Sequence, residues 1–259
     1  MILKGKPVAQ KVFDALELQE KPRGKFVAIQ VGNDPVSSYY IEKKSKIAQK
    51  MGVELEVISV GDKNPVELDD KIRELNADSG VRSIMIQIPL PDGFSREQAA
   101  RVIAPKKDID GFAYIVNRPD FVYFPPTVLA IEEILNFYQI SKTNKKILIV
   151  GEGFLVGQPL RKYWQALGFE SEILNKDSSS YYEKIREADI VVLATGASLG
   201  LKEENFKSGT VVIDASTVSE DGVIKGDVEV TPASNINLAP VPGGVGPVTI
   251  AMLFKNFFN

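Results

Sequence analysis

A lysine stands on the apolar side of an otherwise regular amphipathic stretch. In "VSSYYIEKKSKIAQKMG", which begins at Val36, Tyr40, Ile41, Ile47, Ala48 and Met51 share one arc of a helical wheel. Glu42, Ser45, Lys46, Gln49 and Lys50 share the other, yet Lys44 falls inside the apolar arc, one turn after Tyr40. Desolvation there lowers an amine's pKa and makes the free base accessible near neutral pH, where it can exchange protons. The alternative is snorkelling, with the stem covering the core and the ammonium reaching water. Gln87 lies near the carboxyl end of the apolar run "SIMIQIPLP" and Asp110 in "PKKDIDGF". Taken singly, Gln87 reads equally as a strand-end amide satisfied by backbone, and Asp110 as a turn residue before glycine. Converging on one cleft above strand ends, the three would form a proton-transfer site.

A second constellation is built from glycines. "ILIVGEGFLVGQPL" places Gly151, Gly153 and Gly157 between a strand and a helix, where bare backbone can approach a pyrophosphate and the helix amino terminus offers free N–H groups. The spacing G-x-G-x-x-x-G is looser than the common fingerprint, and a tight strand-to-helix turn without ligand is the competing reading. "LATG", Leu193 to Gly196, ends a later strand in small residues, where doubly wound sheets bind ligands.

Composition narrows the chemistry. The 259 residues contain no cysteine, which excludes disulfides, thiolate nucleophiles and cysteine-based zinc sites, and no metal site is expected. They contain no histidine, so proton transfer near neutrality falls to Lys, Asp, Glu, Tyr or water. The formal charge of -3 gives no basic surface for nucleic acid. No apolar run is long enough to span a bilayer and "MILKGKPVAQ" has no signal-peptide core, so a cytoplasmic protein is expected.

The elements that must position these residues follow an alternating rhythm. "KFVAIQV", "LEVISV" and "SIMIQIPL" read as buried strands, separated or followed by helices over Val36 onward, around Pro65 to Ala77 and around Ser95 to Ile103. This is βαβ grammar and predicts a parallel sheet covered on both faces. After a break near Asn117 to Pro126 and a helix over Val128 to Tyr138, a second series follows: "KILIVG", "SEIL", "DIVVLATG" and "TVVIDAS". The expected fold class is α/β, with two α/β domains and a cleft between them. The first would span residues 1–118, completed by a carboxyl-terminal helix over 246–259 after a "LAPVPGGVGP" loop. The second, 119–245, would be a Rossmann-like dinucleotide-binding domain.

"VGNDPVSSYYIEKKSKIAQKMG", "IQIPLP", "PKKDIDGF" and "PVPGGVGPVT" together closely resemble the bifunctional methylenetetrahydrofolate dehydrogenase/methenyltetrahydrofolate cyclohydrolase family, over nearly the whole chain. The resemblance implies oxidation of 5,10-methylenetetrahydrofolate by hydride transfer to a nicotinamide, then hydrolysis of the methenyl product to 10-formyltetrahydrofolate at the same site. It implies Lys44 and Gln87 as catalytic residues and Tyr40, Asp110, Pro242, Gly243 and Gly244 as folate-binding residues. Gly151, Glu152, Gly153, Asp177, Thr195 and Thr217 become the cofactor-binding set. It further implies a small folate as substrate and a homodimer joined through cofactor domains, while charge and hydropathy give no expectation of a nucleic-acid or membrane partner.

The cofactor implied is NADP, the family default, with NAD a live alternative. The family often carries "GRS" where this chain has "GEG", and Asp177 lies in "NKDSSS", where a 2′-phosphate is met. Carboxylates there repel a phosphate and suit a ribose hydroxyl, while Lys176 acts the other way. Two functional alternatives stay open: a cyclohydrolase with weak or lost dehydrogenase activity, and a non-catalytic folate-binding protein. An amino-acid or shikimate dehydrogenase is more remote, since it leaves "KDIDGF" and "PVPGGVGP" unexplained.

Overall fold

The computed structural model describes residues 1–175, 178, 180–220, 223–229 and 235–259, with the side chains of all of these except Val36, Ser219 and Glu220. The chain divides into two compact units, one of Asp14–Pro126 with Leu253–Asn259, the other of Met1–Phe13 with Thr127–Met252.

The first of these is built on a three-stranded parallel sheet of β1 (Lys25–Val31), β2 (Leu55–Val60) and β3 (Val81–Ile86), in the order β2-β1-β3. Central β1 is buried almost throughout, as a strand covered on both faces must be. The expectation of a buried "LEVISV" is corrected: β2 is an edge strand with Glu56, Val57 and Ser59 exposed, because it has a neighbour on one side only. Helix α2 (Pro35–Met51) starts where the Asp34 carboxylate accepts the Ser37 N–H at 2.7 Å and Pro35 presets the first turn. It stops at Gly52, whose φ of 64° is the left-handed cap that glycine adopts without cost. Helices α3 (Pro65–Ala77) and α4 (Arg96–Val102) are likewise capped, by the side chains of Asn64 and Ser95, and α3 also starts with a proline. The short α5 (Phe112–Ile115) follows the "KDIDG" segment. The end of the last helix supplies Phe254 and Phe257, whose rings pack on Phe26 with centroids 5.9 and 5.8 Å away.

The other unit carries a five-stranded parallel sheet of β4 (Ile147–Val150), β5 (Glu172–Leu174), β6 (Ile190–Leu193), β7 (Val211–Asp214) and β10 (Asn237–Ala239), ordered β10-β7-β6-β4-β5. A two-stranded ribbon, β8 (Val218–Glu220) with β9 (Val223–Lys225), lies between β7 and β10 in sequence. Helices α6 (Pro126–Phe137), α7 (Gly157–Ala166) and α8 (Tyr181–Glu187) belong to this half, and α1 (Gly5–Glu17) and α9 (Val245–Phe258) are divided between the two units. Strands β4, β6 and β7 are buried along their whole length, which their Ile, Val and Leu runs require. The "LAPVPGGVGP" segment, expected as loop, begins inside β10, and Leu3 donates its N–H to Leu238 at 2.7 Å beside it. Among the described residues, no helix is long and apolar enough to cross a membrane.

Candidate active site

In the Asp14–Pro126 unit, Lys44, Gln87 and Asp110 meet at the carboxyl end of β3. The cap at Asp34 sets the phase of α2, and that phase turns Lys44 toward the sheet with Ile41 and Ala48, both buried. Lys44 Nζ donates to Gln87 Oε1 at 2.9 Å and lies 3.2 Å from Met85 Sδ. Snorkelling is thereby replaced by an internal partner. Gln87, only 6 % exposed, donates through Nε2 to the Ile88 carbonyl at 2.6 Å, which fixes its oxygen toward the lysine. The sequence placed Gln87 inside a strand; it stands one residue beyond β3, whose continuation Pro89 cannot donate a ladder hydrogen bond. Asp110 Oδ2 accepts the Ile86 N–H at 3.3 Å.

Burial is the largest influence on both charged groups. It lowers the Lys44 pKa, with the Asp110 charge acting against it. It lifts Asp110 to about 7, with Lys44 lowering and Asp108 raising that value. Desolvation thus draws the amine and the carboxyl toward their neutral forms, and each one's charge draws the other back. Tyr40 is half-buried, which raises its pKa; its ring meets Tyr39 edge-on at 5.8 Å, and Lys43 Nζ lies 5.9 Å from its centroid.

Two residues that sequence reasoning passed over hold the aspartate segment. Asp108 is buried and accepts the Ala113 N–H at 2.6 Å; burial lifts its pKa to about 6. Asn256, 4 % exposed in α9, donates through Nδ2 to the carbonyls of Ile109 at 2.9 Å and Phe124 at 3.0 Å. A lone amide in the apolar run "MLFKNFF" was the signal available for it.

The glycine constellation belongs to the other unit. The chain runs from β4 outward to β5 and returns on the far side as β6, so the sheet's topological switch point lies between β4 and β6. Gly151 follows β4 with a φ of 100°, and a Cβ there would meet the Ala194 carbonyl oxygen at 2.5 Å. A Cβ on Gly157, at the start of α7, would overlap the Gly151 carbonyl. These two glycines are therefore required by the protein's own packing. Gly153 differs: its nearest neighbour would be 3.7 Å away, it is exposed, and its carbonyl accepts the Gln158 N–H in the first turn of α7 at 3.3 Å. That open cradle fits a pyrophosphate.

The remaining expected residues are placed as follows. Glu152 is exposed and accepts from Asn175 Nδ2 at 3.4 Å, beyond the ends of β4 and β5. Thr195 Oγ1 donates to the Asp227 carboxylate at 2.7 and 2.8 Å, and Thr217 is exposed. Asp177 lies outside the described residues. Pro242 and Gly243 are exposed, and Gly243 has a φ of 103°. Gly244 is buried with no room for a Cβ, which would meet the Pro240 carbonyl at 2.6 Å. They belong to the Thr127–Met252 unit, whereas Lys44, Gln87 and Asp110 belong to the other. Among the described residues, no group of three or more acidic, cysteine or histidine side chains is arranged to hold a metal ion.

Comparison with known proteins gives two family matches along the chain. Residues 3–110 match the catalytic domain of tetrahydrofolate dehydrogenase/cyclohydrolase, and residues 125–259 match its NAD(P)-binding domain. The bifunctional protein FolD of Mycoplasma mycoides is 33% identical, with 100% of this chain and 96% of that protein covered. Its namesake from Staphylococcus saprophyticus is 35% identical, with 98% and 94% covered. The crystal structure of the bifunctional FolD methylenetetrahydrofolate dehydrogenase/cyclohydrolase from Campylobacter jejuni superposes with a TM-score of 0.89 at 29% identity, covering 100% of this chain and 97% of that one. With both domains matched in order along the chain, it belongs to the tetrahydrofolate dehydrogenase/cyclohydrolase family.

Proposed function

We propose that this protein oxidises 5,10-methylenetetrahydrofolate to 5,10-methenyltetrahydrofolate with NADP and hydrolyses that product to 10-formyltetrahydrofolate. The observation that carries the reading is the part-buried hydrogen bond from Lys44 to Gln87, with Asp110 beside it on the Ile86 N–H. In this reading Lys44, as a free amine, takes a proton from the water that attacks the methenyl carbon and returns one to the ring nitrogen released. Gln87 holds the amine in place without adding charge. Asp110 presents acceptor oxygens to the donor-rich amino-pyrimidinone edge. Tyr40 offers a half-buried ring face to the flat substrate.

The dinucleotide is held by the open backbone at Gly153 and by the loop that carries Thr195 at the switch point. When bound, its nicotinamide supplies the hydride acceptor. We further infer a cytoplasmic homodimer, as the family resemblance implies. Light scattering is expected to give twice the 28.5 kDa chain mass, and a monomeric mass would refute the dimer.

The purified protein is given methylenetetrahydrofolate with NADP or with NAD, and the rise and decay of the methenyl absorbance are followed. Cofactor reduction followed by decay is the expected result. A second reading, a cyclohydrolase with little dehydrogenase activity, draws on the exposed Glu152 carboxylate beside Asn175, an unfavourable neighbour for a 2′-phosphate. Decay of added methenyl substrate without reduction of either cofactor would select it. Absence of both would overturn the proposal.

A further inference from the structure

The loop that leaves β6 is held by a carboxylate from a distant part of the chain. Asp227 is fully buried. Its two oxygens accept the Thr195 hydroxyl at 2.8 and 2.7 Å, and Oδ1 also accepts the Leu199 N–H at 3.2 Å. Oδ2 further accepts the Ser216 hydroxyl. The Ser216 oxygen in turn accepts the N–H groups of Thr195 at 2.9 Å and Gly196 at 3.3 Å, while Thr195 Oγ1 accepts that of Ala197 at 3.1 Å. Four of the five backbone N–H groups from Thr195 to Leu199 thus end on Asp227 or on a hydroxyl that Asp227 orients.

Asp227 is itself fixed. Its N–H and that of Val228 donate to Asp214 Oδ2 at 2.7 and 3.0 Å, and Asp214 Oδ1 accepts the Ser216 N–H at 3.0 Å. The neighbouring Gly226 has no room for a side chain, because a Cβ would overlap the Asp214 carboxyl group. Burying two carboxylates this close is costly unless every lone pair finds a donor. The donors to Asp227 come from the segments that follow β6 and β7, and β6 borders the switch point where open α/β sheets take their ligands.

We propose that Asp227 is a positioning residue for the dinucleotide: through Thr195, Ser216 and the Leu199 N–H it holds the 195–199 loop in a binding-competent shape before the ligand arrives. It does not touch the ligand, since its carboxylate is buried behind that loop. The inference rests on the dinucleotide reading above, and it separates the two reactions, because hydrolysis needs no dinucleotide.

The test uses Asp227→Asn and Ser216→Ala in the full chain. Amide hydrogen exchange is measured on dinucleotide-free protein, followed by titration with NADPH and NADH and a hydrolysis assay on methenyltetrahydrofolate. Weakening the bonds that hold the loop shifts its ordered population by about tenfold, and the ligand must then supply that free energy on binding. Asp227→Asn is expected to expose the amides of residues 195–199 to exchange and to weaken the dinucleotide at least about tenfold, with hydrolysis at the wild-type rate. Ser216→Ala should reproduce the exchange at Thr195 and Gly196 with a smaller loss of affinity. If wild-type protein binds neither dinucleotide, the dinucleotide reading itself has failed. If wild-type binds and both variants bind equally well, or if Asp227→Asn loses hydrolysis in parallel, Asp227 supports the fold generally and the positioning role is overturned.

Discussion

At the scale of single residues, the proposed chemistry turns on how the environment of Lys44 differs from that of an ordinary helix lysine. Its neighbours on α2, Ile41 and Ala48, are buried, and its amine ends on the Gln87 oxygen rather than in water. The stem packs while the head group reacts, so the two contributions can be separated. Lys44→Met keeps the stem length on an apolar face and is expected to leave the melting temperature nearly unchanged. Removal of a general acid–base should slow methenyltetrahydrofolate hydrolysis by about 10²- to 10⁴-fold. Substantial hydrolysis by the folded variant would assign proton transfer to another group. Lys44, Gln87 and Asp110 were legible in the sequence because each is a polar residue in an apolar or turn context. Asp227 was not: "KGDVEV" reads as an ordinary strand flank, and its partners Thr195 and Ser216 lie on segments that only the folded sheet brings together. Thr195 was singled out from its strand-end position, while its hydroxyl is committed to Asp227.

At the scale of elements, the strand–glycine–helix unit after β4 answers two demands that its sequence does not distinguish. Gly157 abuts the Gly151 backbone, so Gly157→Ala must push α7 away from β4 and is expected to cost about 1–3 kcal/mol, read as a lower melting temperature. Gly153 has space for a methyl group and no left-handed φ, so Gly153→Ala should melt like wild type. It should nevertheless raise the dinucleotide KM, because the methyl group occupies the approach to the helix amino terminus. A Gly153→Ala protein with unchanged KM would place the pyrophosphate elsewhere. Capped helices were the most legible elements, since Asn64-Pro65 and Asp34-Pro35 carry their own start signals. β10, β8 and β9 escaped notice because they are three-residue strands outside the strand–helix alternation that revealed the equally short β5. β2 was recognised as a strand but its exposure was not, since an edge position depends on strand order, which local pattern does not encode.

At the scale of the whole molecule, the absence of histidine and the presence of buried aspartates make a joint statement about stability. Burial lifts Asp108 to about 6 and both Asp110 and Asp214 to about 7, each from an ordinary value of 3.8. A carboxyl whose folded pKa lies above its unfolded value binds its proton more tightly in the folded chain. Between those two values the unfolded chain is ionised while the folded chain is protonated, so stability falls as pH rises through the window. Lys44, with its pKa lowered by burial, acts in the opposite sense, as do Lys107 and Lys162. With no imidazole in the chain, no histidine titration overlaps this interval. The ion-paired carboxylates with lowered values, such as Glu42 and Asp189, matter only at lower pH, where protonation removes their ion pairs. The melting temperature is therefore expected to decline from about pH 5 to about pH 8 at constant ionic strength. Asp110→Asn isolates one contribution, since an amide oxygen can still accept the Ile86 N–H while the titration is gone. Removing that charge also takes away what retains the Lys44 proton, which changes the slope in the same direction. The variant should accordingly gain on wild type steadily as pH rises across this interval. A difference in melting temperature that stays constant with pH would show that Asp110 is ionised in the folded protein throughout, and that Lys44 keeps its proton beside it.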